Sequence, residues 1–446
     1  MIEKTLTIAK KFIPKPVFHF FQPLYHFLMA LSGNILFRFP GYKLKVIGVT
    51  GTNGKSTTAE IITEMLKASG KKVGMISTVY IEINGKRQNN STNRTTLGRW
   101  RTQRLLRRMV NSNCEYAVIE VASEGIAWYR IFGIPFDVAV FTNLAPEHLN
   151  FHKTMENYRN TKGRLFAKLK SNWNFKKTKR ISAVNADDSE AKYFLSFDAD
   201  QKYTFGLRKG EVKGKNIKTG LDGTTYEIEY KTETVKVRTG AIGTFNVYNE
   251  LAAYCVGLGL QLPKEFILKA LTSFKGTIGR AERIEEGQNF SVIVDYAVTP
   301  DAQRAIYEEL RKITKGNLIS VFGATGDRDK QKRPGMGKTA SFLTDQVILT
   351  DDETYNEESH QIIREVYAGV PKKLQGKVTI MPDRYQAIKK ALNLAKGGDT
   401  VIISGIGHQK YRTMSSMKMP WNERAIVREI LKFILKKSAS EKKGAK

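Results

Sequence analysis

A glycine-rich segment with one lysine and two hydroxyl side chains is the clearest chemical feature of the chain. It runs Gly48-Val-Thr-Gly51-Thr-Asn-Gly54-Lys55-Ser56-Thr57. Glycines let the backbone curl so that its N–H groups face phosphate oxygens, and a helix N-terminus after the turn adds positive potential. Lys55 would reach the terminal phosphates of a nucleotide, and the Ser56 hydroxyl would bind Mg²⁺. The predicted nucleotide-binding residues are Gly51, Thr52, Asn53, Gly54, Lys55, Ser56 and Thr57.

The elements around this loop have the order that a phosphate site requires. Segment 45–49 is predicted as a strand that enters the loop, and segment 57–68 as a helix that leaves it. Further buried strands are predicted at 116–121, 136–141, 291–294, 318–322, 346–349 and 400–403, and a helix at 301–313. This alternation predicts an α/β fold, with a P-loop central domain built on a parallel sheet and a Rossmann-like C-terminal α/β domain. Alternating apolar residues in 201–240 predict an antiparallel insertion.

Composition excludes several classes of protein. The chain has 446 residues, of which 41% are hydrophobic and 26% charged, so collagen-like, low-complexity and disordered proteins are excluded. Two cysteines cannot form a disulfide framework, which favours a reducing compartment. The net charge of +30 favours anionic partners. The basic residues are spread along the chain without a nucleic-acid-binding motif, so no specific nucleic acid is expected as a partner.

The first 43 residues form a basic and apolar segment of a different character. Lys10, Lys11 and Lys15 precede a stretch, 16–37, that has no charged residue. Polar residues interrupt this stretch, and three interpretations remain open: contact with an acidic membrane surface through residues 10–45, packing on the protein's own body, and a membrane span. We expect domains at 1–43, 44–283 and 284–436, followed by a basic tail at 437–446.

Short motifs in a fixed order resemble those of the Mur ligases. Besides the loop, they include Glu120-Val-Ala-Ser123, Glu147-His148, Lys162-Gly-Arg-Leu-Phe166, Asn246-Val-Tyr-Asn249, Asp295-Tyr-Ala297, Gly326-Asp327-Arg328-Asp329 and Gly405-Ile-Gly-His408. The resemblance covers about 44–435 and is strongest to the branch that adds the third residue of the peptidoglycan stem peptide. It implies an ATP-dependent ligase that phosphorylates the carboxylate of a UDP-N-acetylmuramoyl-peptide and joins the acyl phosphate to an amino acid.

The resemblance also implies roles for individual residues. Catalysis would involve Lys55, Glu120, His148 and Lys162, with Mg²⁺ held by Ser56, Glu120, His148 and a carbamylated Lys162. ATP would further contact Asn246, Asn249, Arg280 and Asp295. The muramoyl-peptide would lie on Thr95, Thr96, Ser123 and Arg130. The incoming amino acid would lie on Arg328, Asp352, Glu353, Tyr355, Gly405 and Gln409.

Departures from the family pattern bear on the substrates. The segment before Leu44 is about half as long as the family's uridine-binding domain, so a lipid-linked muropeptide is an alternative acceptor, as is a folate or polyglutamate chain. Where diaminopimelate-adding members commonly have Asp-Asn-Pro-Arg, this chain has Asp352-Glu-Thr-Tyr355. Loss of the arginine and gain of Glu353 weaken a site for a distal carboxylate and suit a cationic side chain such as lysine better, so we expect that diaminopimelate is not the preferred amino acid.

Two competing functions lie outside the ligases. A nucleic-acid-stimulated ATPase would explain the positive charge, and a membrane-associated scaffold without catalysis would explain the N-terminal segment. The complete set of predicted catalytic residues favours the ligase, which we expect to be cytoplasmic with peripheral membrane contact.

Overall fold

Two α/β units make up the chain. The structure is a computed structural model that describes residues 15–92, 94–171, 174–415 and 417–444, with side chains described from residue 21 to residue 437. The predicted basic residues Lys10 and Lys11 and the end of the predicted tail therefore lie outside the described residues.

An eleven-stranded sheet is the core of the first unit. Its order is β11-β10-β9-β8-β7-β6-β1-β5-β2-β3-β4. The strands are β1 Lys45–Thr50, β2 Val73–Ile76, β3 Tyr80–Ile83, β4 Lys86–Asn89, β5 Tyr116–Glu120, β6 Val138–Phe141, β7 Ile181–Asn185, β8 Gln201–Gly206, β9 Val212–Gly220, β10 Gly223–Tyr230 and β11 Glu233–Thr239. The seven strands from β9 to β2 pair in parallel, and antiparallel strands complete both edges.

Helices cover both faces of this sheet, which is why its central strands are apolar throughout. In β1, Ile47 packs in the core under one layer of helices and Val46 in the core under the other. The helices of this unit are α2 Lys55–Ala68, α3 Arg99–Asn111, α4 Ser123–Ala127, α5 Leu149–His152, α6 Met155–Ala167, α7 Ala191–Leu195, α8 Thr244–Gly259 and α9 Lys264–Ser273.

The region 201–240 differs in part from the prediction of an antiparallel insertion. Strand β8 pairs in parallel with β7 and β9, and only β9, β10 and β11 are mutually antiparallel. These strands extend the main sheet. The alternation of Tyr226 and Ile228 reports that one face is buried in the core beside α8, but a period of two carries no information about which neighbour a strand pairs with.

A six-stranded sheet forms the second unit, with the order β12-β13-β17-β14-β15-β16. All its pairs are parallel except β12 with β13. The elements are β12 Glu282–Arg283, β13 Ser291–Asp295, α10 Pro300–Ile313, β14 Leu318–Phe322, α11 Lys332–Leu343, β15 Gln346–Leu349, α12 Ser359–Tyr367, β16 Val378–Ile380, α13 Arg384–Leu394, β17 Thr400–Ser404, the hairpin β18 Tyr411–Met414 with β19 Met417–Pro420, and α14 Glu423–Gly444. The predicted fold class, a parallel-sheet central domain and a Rossmann-like C-terminal domain, is confirmed.

The N-terminal helix α1, Lys15–Leu36, lies against α3. The indole Nε1 of Trp100 donates to the Met29 carbonyl at 3.0 Å and to Ser32 Oγ at 3.1 Å. Asn34 Nδ2 donates to the Phe132 carbonyl at 3.0 Å. No helix among the described residues is long and apolar enough to cross a membrane. One face of α1 therefore packs on the protein.

The other face of α1 is apolar and exposed. More than half of the surface of each of these side chains is accessible: Phe21, Leu24, Leu28, Ile35 and Leu36. The spacing of 21, 24, 28 and 35 places them on one side of the helix. We call these five residues the α1 stripe.

Candidate active site

A cleft of about 430 Å³ lies where the carboxyl ends of β1 and β5 face loops of the second unit. Parallel strands deliver their following loops to one edge, which is where α/β proteins bind ligands. The predicted site residues that line the cleft are Thr52, Asn53, Gly54, Lys55, Ser56, Thr57, Thr95, Thr96, Glu120, Ser123, Arg130, His148, Lys162, Arg280, Arg328, Glu353, Tyr355 and Gln409. The structure thus brings most of the predicted residues to one place.

Six predicted residues lie outside the cleft lining, and several of them support it from behind. They are Gly51, Asn246, Asn249, Asp295, Asp352 and Gly405. Asn249 Oδ1 would be 2.2 Å from a Cβ added at Gly54, so this asparagine lies directly beneath the loop. In the same way, Asp352 Oδ2 lies so close to Gly405 that a Cβ added there would collide with it.

The phosphate loop is held in shape by its neighbours. Gly54, with φ of +83°, is the residue before α2, and its left-handed conformation explains why the helix begins at Lys55, two residues earlier than predicted. The segment after β6 braces the loop from the side. Asn143 accepts from the backbone N–H groups of Thr52 and Asn53 at 2.8 and 2.9 Å, and Thr142 Oγ1 donates to the Asn53 carbonyl at 2.7 Å.

Two lysines, the buried Lys162 and the half-buried Lys55, donate to carbonyls of this loop. Lys55 Nζ bonds to the Thr52 carbonyl at 2.6 Å, and Lys162 Nζ, from α6, bonds to the Gly51 carbonyl at 2.7 Å. Burial lowers the pKa of Lys55, and the charges of Glu120 and Glu147 oppose that change. Burial, reinforced by the charge of Lys55, lowers the pKa of Lys162 well below its ordinary value. Lys162 is therefore an amine that loses its proton readily.

Glu120 ends β5 as a buried carboxylate with neutral partners. Its Oε2 accepts from Ser56 Oγ at 2.9 Å, from the Thr78 backbone N–H at 2.7 Å and from Thr78 Oγ1 at 2.9 Å. None of the described Lys, Arg or His groups lies within 4 Å of this carboxylate. A buried anion next to a hydroxyl and the phosphate loop has the hard oxygen atoms that Mg²⁺ prefers.

His148 and Lys162 form the wall beside Glu120. His148 Nδ1 lies 3.3 Å from Glu124 Oε1, and the Lys162 ammonium lies 4.4 Å from the centre of the Tyr158 ring. Among the described residues no three His, Cys, Asp or Glu side chains converge on one point. An ion here would need further oxygen ligands, which phosphates and a carbamylated Lys162 can supply.

Hydroxyl and guanidinium groups continue the cleft away from the loop. Thr96 Oγ1 accepts from the Ala122 N–H at 2.9 Å, and Arg130 Nη1 donates to the Thr96 carbonyl at 2.9 Å. Ser123 Oγ lies 2.9 Å from His152 Nε2. Burial and the nearby His148 lower the pKa of His152 to about 4, so this imidazole is neutral at physiological pH.

The opposite wall comes from the second unit. Glu353 Oε1 accepts from the Thr413 N–H at 3.1 Å, and its Oε2 lies 3.4 Å from Gln409 Nε2 and 3.5 Å from the Tyr355 hydroxyl. Burial and the adjacent Asp352 raise the pKa of Glu353. The Arg328 guanidinium lies 5.8 Å from the Tyr355 ring centre. Lys332 also lines the cleft from this unit, so the wall presents the cations Arg328 and Lys332 together with Glu353, a carboxylate whose hydrogen-bond partners are neutral.

The nucleotide residues predicted from the second half of the chain form two groups, Asn246 with Asn249 on α8 and Asp295 with Arg280 at β13. Asn249 Nδ2 donates to Asn246 Oδ1 at 3.0 Å, and Asp295, at the end of β13, accepts from the Ala281 N–H at 2.6 Å. Burial raises the pKa of Asp295, and the charge of Arg280 opposes this. The Arg280 guanidinium lies 4.4 Å from the Tyr296 ring centre and reaches the cleft.

Sequence reasoning did not single out several residues that line the cleft. They are Thr78, Arg94, Glu124, Glu147, Tyr158, Tyr296 and Lys332. Glu147 and Tyr296 stand inside the motifs Glu147-His148 and Asp295-Tyr-Ala297, so their positions were a usable signal. Thr78 follows β2 without any motif, and only the pairing of β2 with β5 brings it to Glu120.

Models of known families match both units of the chain. The Mur ligase middle domain matches residues 49–257, and the Mur ligase glutamate ligase domain matches residues 279–407. A UDP-N-acetylmuramoyl-L-alanyl-D-glutamate–2,6-diaminopimelate ligase of Geobacillus kaustophilus is 38% identical over 405 residues, which is 91% of this chain and 82% of the relative. A UDP-N-acetylmuramyl-tripeptide synthetase of a Roseiflexus species is 37% identical over 404 residues, with 88% and 79% covered.

Solved structures have the same arrangement. A diaminopimelate ligase structure superposes with a TM-score of 0.60 at 28% identity and covers 87% of this chain and 78% of that one. A Mycobacterium tuberculosis folylpolyglutamate synthase, complexed with ADP and AMPPCP, shares the fold with a TM-score of 0.68 at 15% identity, over 85% and 92% of the two chains. The matched domains, the relatives and the geometry of the loop agree, and the chain belongs to the Mur ligase family.

Proposed function

We propose that this chain is an ATP-dependent ligase that adds an amino acid to a UDP-N-acetylmuramoyl-peptide in peptidoglycan precursor synthesis. The observation that carries the proposal is the cleft itself, in which Lys55, Glu120 and Lys162 surround the phosphate loop and Arg328 faces them from the second unit. Both co-substrates are anionic, so a site dominated by fixed cations and backbone N–H groups suits phosphoryl transfer.

The chemistry divides into two steps. A carboxylate oxygen of the acceptor attacks the γ-phosphorus of ATP, the bond to the β-phosphate oxygen breaks, and ADP leaves. The amine of the incoming amino acid then attacks the acyl carbon, and loss of a proton and of inorganic phosphate leaves the amide. Lys55 neutralises the terminal phosphates, Arg280 reaches the same region, and Arg328 orients the amino acid through its carboxylate.

Magnesium fits the oxygen atoms around Glu120 and Ser56, with His148 and a carbamylated Lys162 for a second ion. Bound there, it would supply charge neutralisation for the phosphates. Lys162 suits carbamylation because its lowered pKa favours the neutral amine. The amine nitrogen bonds to the carbon of CO₂ and releases a proton, which converts a buried cation into a carbamate anion.

Product analysis tests the function. Wild-type enzyme with ATP, UDP-muramoyl-dipeptide and an amino-acid mixture is expected to yield ADP, phosphate and a peptide one residue longer, measured by mass spectrometry. Lys55→Ala should lower the rate by about a thousandfold, because the fixed charge on the phosphates is lost. Lys71→Ala, which removes an ammonium outside the cleft, is the matched control. Full peptide extension by Lys55→Ala would contradict the proposal.

The second unit favours an amino acid with a cationic side chain. Glu353 is a buried carboxylate with neutral hydrogen-bond partners in the wall that also holds Arg328. A terminal amine would pair with it, whereas a distal carboxylate would be repelled. Phosphate release is therefore expected to be faster with lysine than with diaminopimelate, and Glu353→Gln should reduce that preference. Fastest turnover with diaminopimelate would contradict this part of the proposal, whatever the fate of the ligase activity itself.

The proposal also covers the carrier of the acceptor peptide, the location of the enzyme in the cell and the division of the chain into domains. A lipid-linked muropeptide is the alternative acceptor. We also propose that the enzyme is cytoplasmic and that it contacts a membrane peripherally through residues 10–45. The exposed α1 stripe supports the membrane contact. The units are proposed as 1–43, 44–283 and 284–436, although β12 at Glu282–Arg283 already pairs with the second sheet.

A further inference from the structure

Three arginines lie together at one end of the cleft. Arg94 and Arg130 line it, and Arg99, on the first turn of α3, lies near enough to Arg130 for the two charges to interact. Arg130 Nη1 donates to the Thr96 carbonyl at 2.9 Å, and Arg99 Nε donates to the Trp128 carbonyl at 2.9 Å. These bonds use one N–H of each guanidinium, which has five, and they fix the position of both groups.

The cluster has little opposing charge. Among the described residues, no Asp or Glu oxygen lies within 4 Å of any of the three guanidinium groups. Burial and the charge of Arg130 lower the pKa of Arg99 to about 10. Burial and Arg94 lower the pKa of Arg130, opposed by Glu124, which already pairs with His148 at 3.3 Å. Partly buried like charges are costly without a counter-ion, so this arrangement favours binding of an anion.

A chain of contacts connects this cluster with the carboxylate beside the phosphate loop. Thr78 Oγ1 lies 2.9 Å from both Glu120 Oε2 and Thr95 Oγ1. Thr96 follows and bonds to Arg130. Beyond Arg130 and Arg99, the Trp128 ring lies 4.7 Å from the His26 ring of α1. The path therefore runs outward from the reaction centre to the N-terminal helix.

The proposed acceptor would follow this path from one end to the other. Its reacting carboxylate must lie at the phosphate loop, and the diphosphate that joins its sugar to the carrier lies at the opposite end. Guanidinium groups match phosphate oxygens in charge and in paired N–H geometry. We propose that Arg99, together with Arg130 and Arg94, forms the subsite for that diphosphate. This inference rests on the proposed function, and the diphosphate is common to nucleotide and polyprenyl carriers.

Acceptors with and without the uridine diphosphate test the inference. The measured quantity is the ratio of KM for a muramoyl-dipeptide with a free sugar hydroxyl to KM for the UDP-linked form. In wild-type enzyme the ratio is expected to be about tenfold or more, since charge-assisted hydrogen bonds are lost with the phosphates. Arg99→Gln should bring the ratio close to one, and Arg99→Lys, which keeps the charge but loses the fork, should give an intermediate value.

Controls separate a structural role from binding. Arg104→Gln removes an exposed arginine from the same helix and should leave the wild-type ratio. If Arg99→Gln raised KM equally for both acceptors, or changed neither, the inference would be overturned. A third arm uses an acceptor linked to a polyprenyl diphosphate in detergent micelles. A penalty in Arg99→Gln on this acceptor as large as on the UDP-linked one is expected, because both carry the diphosphate, and no penalty on either diphosphate-linked acceptor would overturn the inference.

The closing control distinguishes the two proposals. Wild-type enzyme that releases no phosphate with any acceptor would refute the proposed ligase function. Wild-type turnover with a ratio that Arg99 does not affect would refute only the diphosphate subsite.

Discussion

At the scale of single residues, buried charge defines this site. Lys55 and Lys162 donate to neighbouring carbonyls of one loop, and Glu120 accepts only from neutral donors. A buried charge that lacks an opposite partner raises the free energy of the folded state. Such groups persist where a substrate or an ion supplies the missing partner, and the proposed function assigns that role to ATP and Mg²⁺.

Lys162 yields a prediction at this scale. The burial that lowers its pKa leaves more of the amine neutral at a given pH, and a neutral amine reacts with CO₂. Removal of CO₂ from the buffer is expected to lower kcat, and bicarbonate should restore it. A carbamate carbon signal in ¹³C NMR should be present in wild-type protein and absent in Lys162→Met, whose kcat falls by about a hundredfold or more. The matched variant Lys168→Met, which removes a half-buried lysine outside the cleft, should keep the signal. Equal activity without CO₂ and no carbamate signal would contradict the prediction.

At the scale of elements, neighbours rather than propensity position the site. The phosphate loop keeps its shape because Thr142 and Asn143, after the adjacent strand β6, bond to it. The parallel pairing of β1 with β5 and β6 places three functional loops at one edge of the sheet. Helix α1 is likewise held by α3 and not by its own sequence, which contains Pro23.

The attachment of α1 can be tested through Trp100. Phenylalanine keeps a ring in contact with Gly33 but loses both indole hydrogen bonds to Met29 and Ser32. Trp100→Phe is expected to cost about 1 kcal/mol locally. Hydrogen exchange should become severalfold faster for the amides of α1, while exchange in the second sheet stays unchanged. Arg104→Gln on the same helix is the control, and unchanged exchange in α1 would show that the indole bonds do not hold it.

At the scale of the whole molecule, the exposed apolar stripe lies beside a helix that is rich in arginine. Residues 4–59 contain no Asp or Glu, and neither do residues 83–114, which include the five arginines of α3. The α1 stripe is exposed next to this helix. Apolar side chains beside cations are typical of proteins that bind the surface of an anionic bilayer.

Vesicle binding tests this arrangement. The protein is expected to sediment with phosphatidylglycerol vesicles and not with phosphatidylcholine vesicles, and salt should weaken the binding. The triple variant Leu24→Ser/Leu28→Ser/Ile35→Ser should bind at least about tenfold more weakly, because it removes apolar area from the interface. Phe342→Ser/Ile380→Ser, at exposed apolar positions of the second unit, is the control. No sedimentation with anionic vesicles, or an equal loss in the control, would contradict the proposed membrane contact.

Much of this protein follows from sequence alone. The strand before the loop, the glycines and Lys55 predict a nucleotide site, because that turn requires a residue with positive φ at Gly54 and a cation at the phosphates. The central strands were predictable because a parallel sheet buried on both faces needs continuous apolar runs. The order of the motifs predicts the ligase family, which the comparisons confirm.

Tertiary structure alone decided what those motifs touch. Thr78 has no motif, yet strand pairing places it on Glu120, and Arg99 joins Arg130 only because α3 and the turn after α4 meet. The pairing partners of β8 and the exposed side of α1 could not be predicted from the sequence either. Periodicity shows that a face is buried or apolar, but not what lies against it. Local patterns reflect the backbone's own preferences, whereas contacts between distant segments depend on how the whole chain packs.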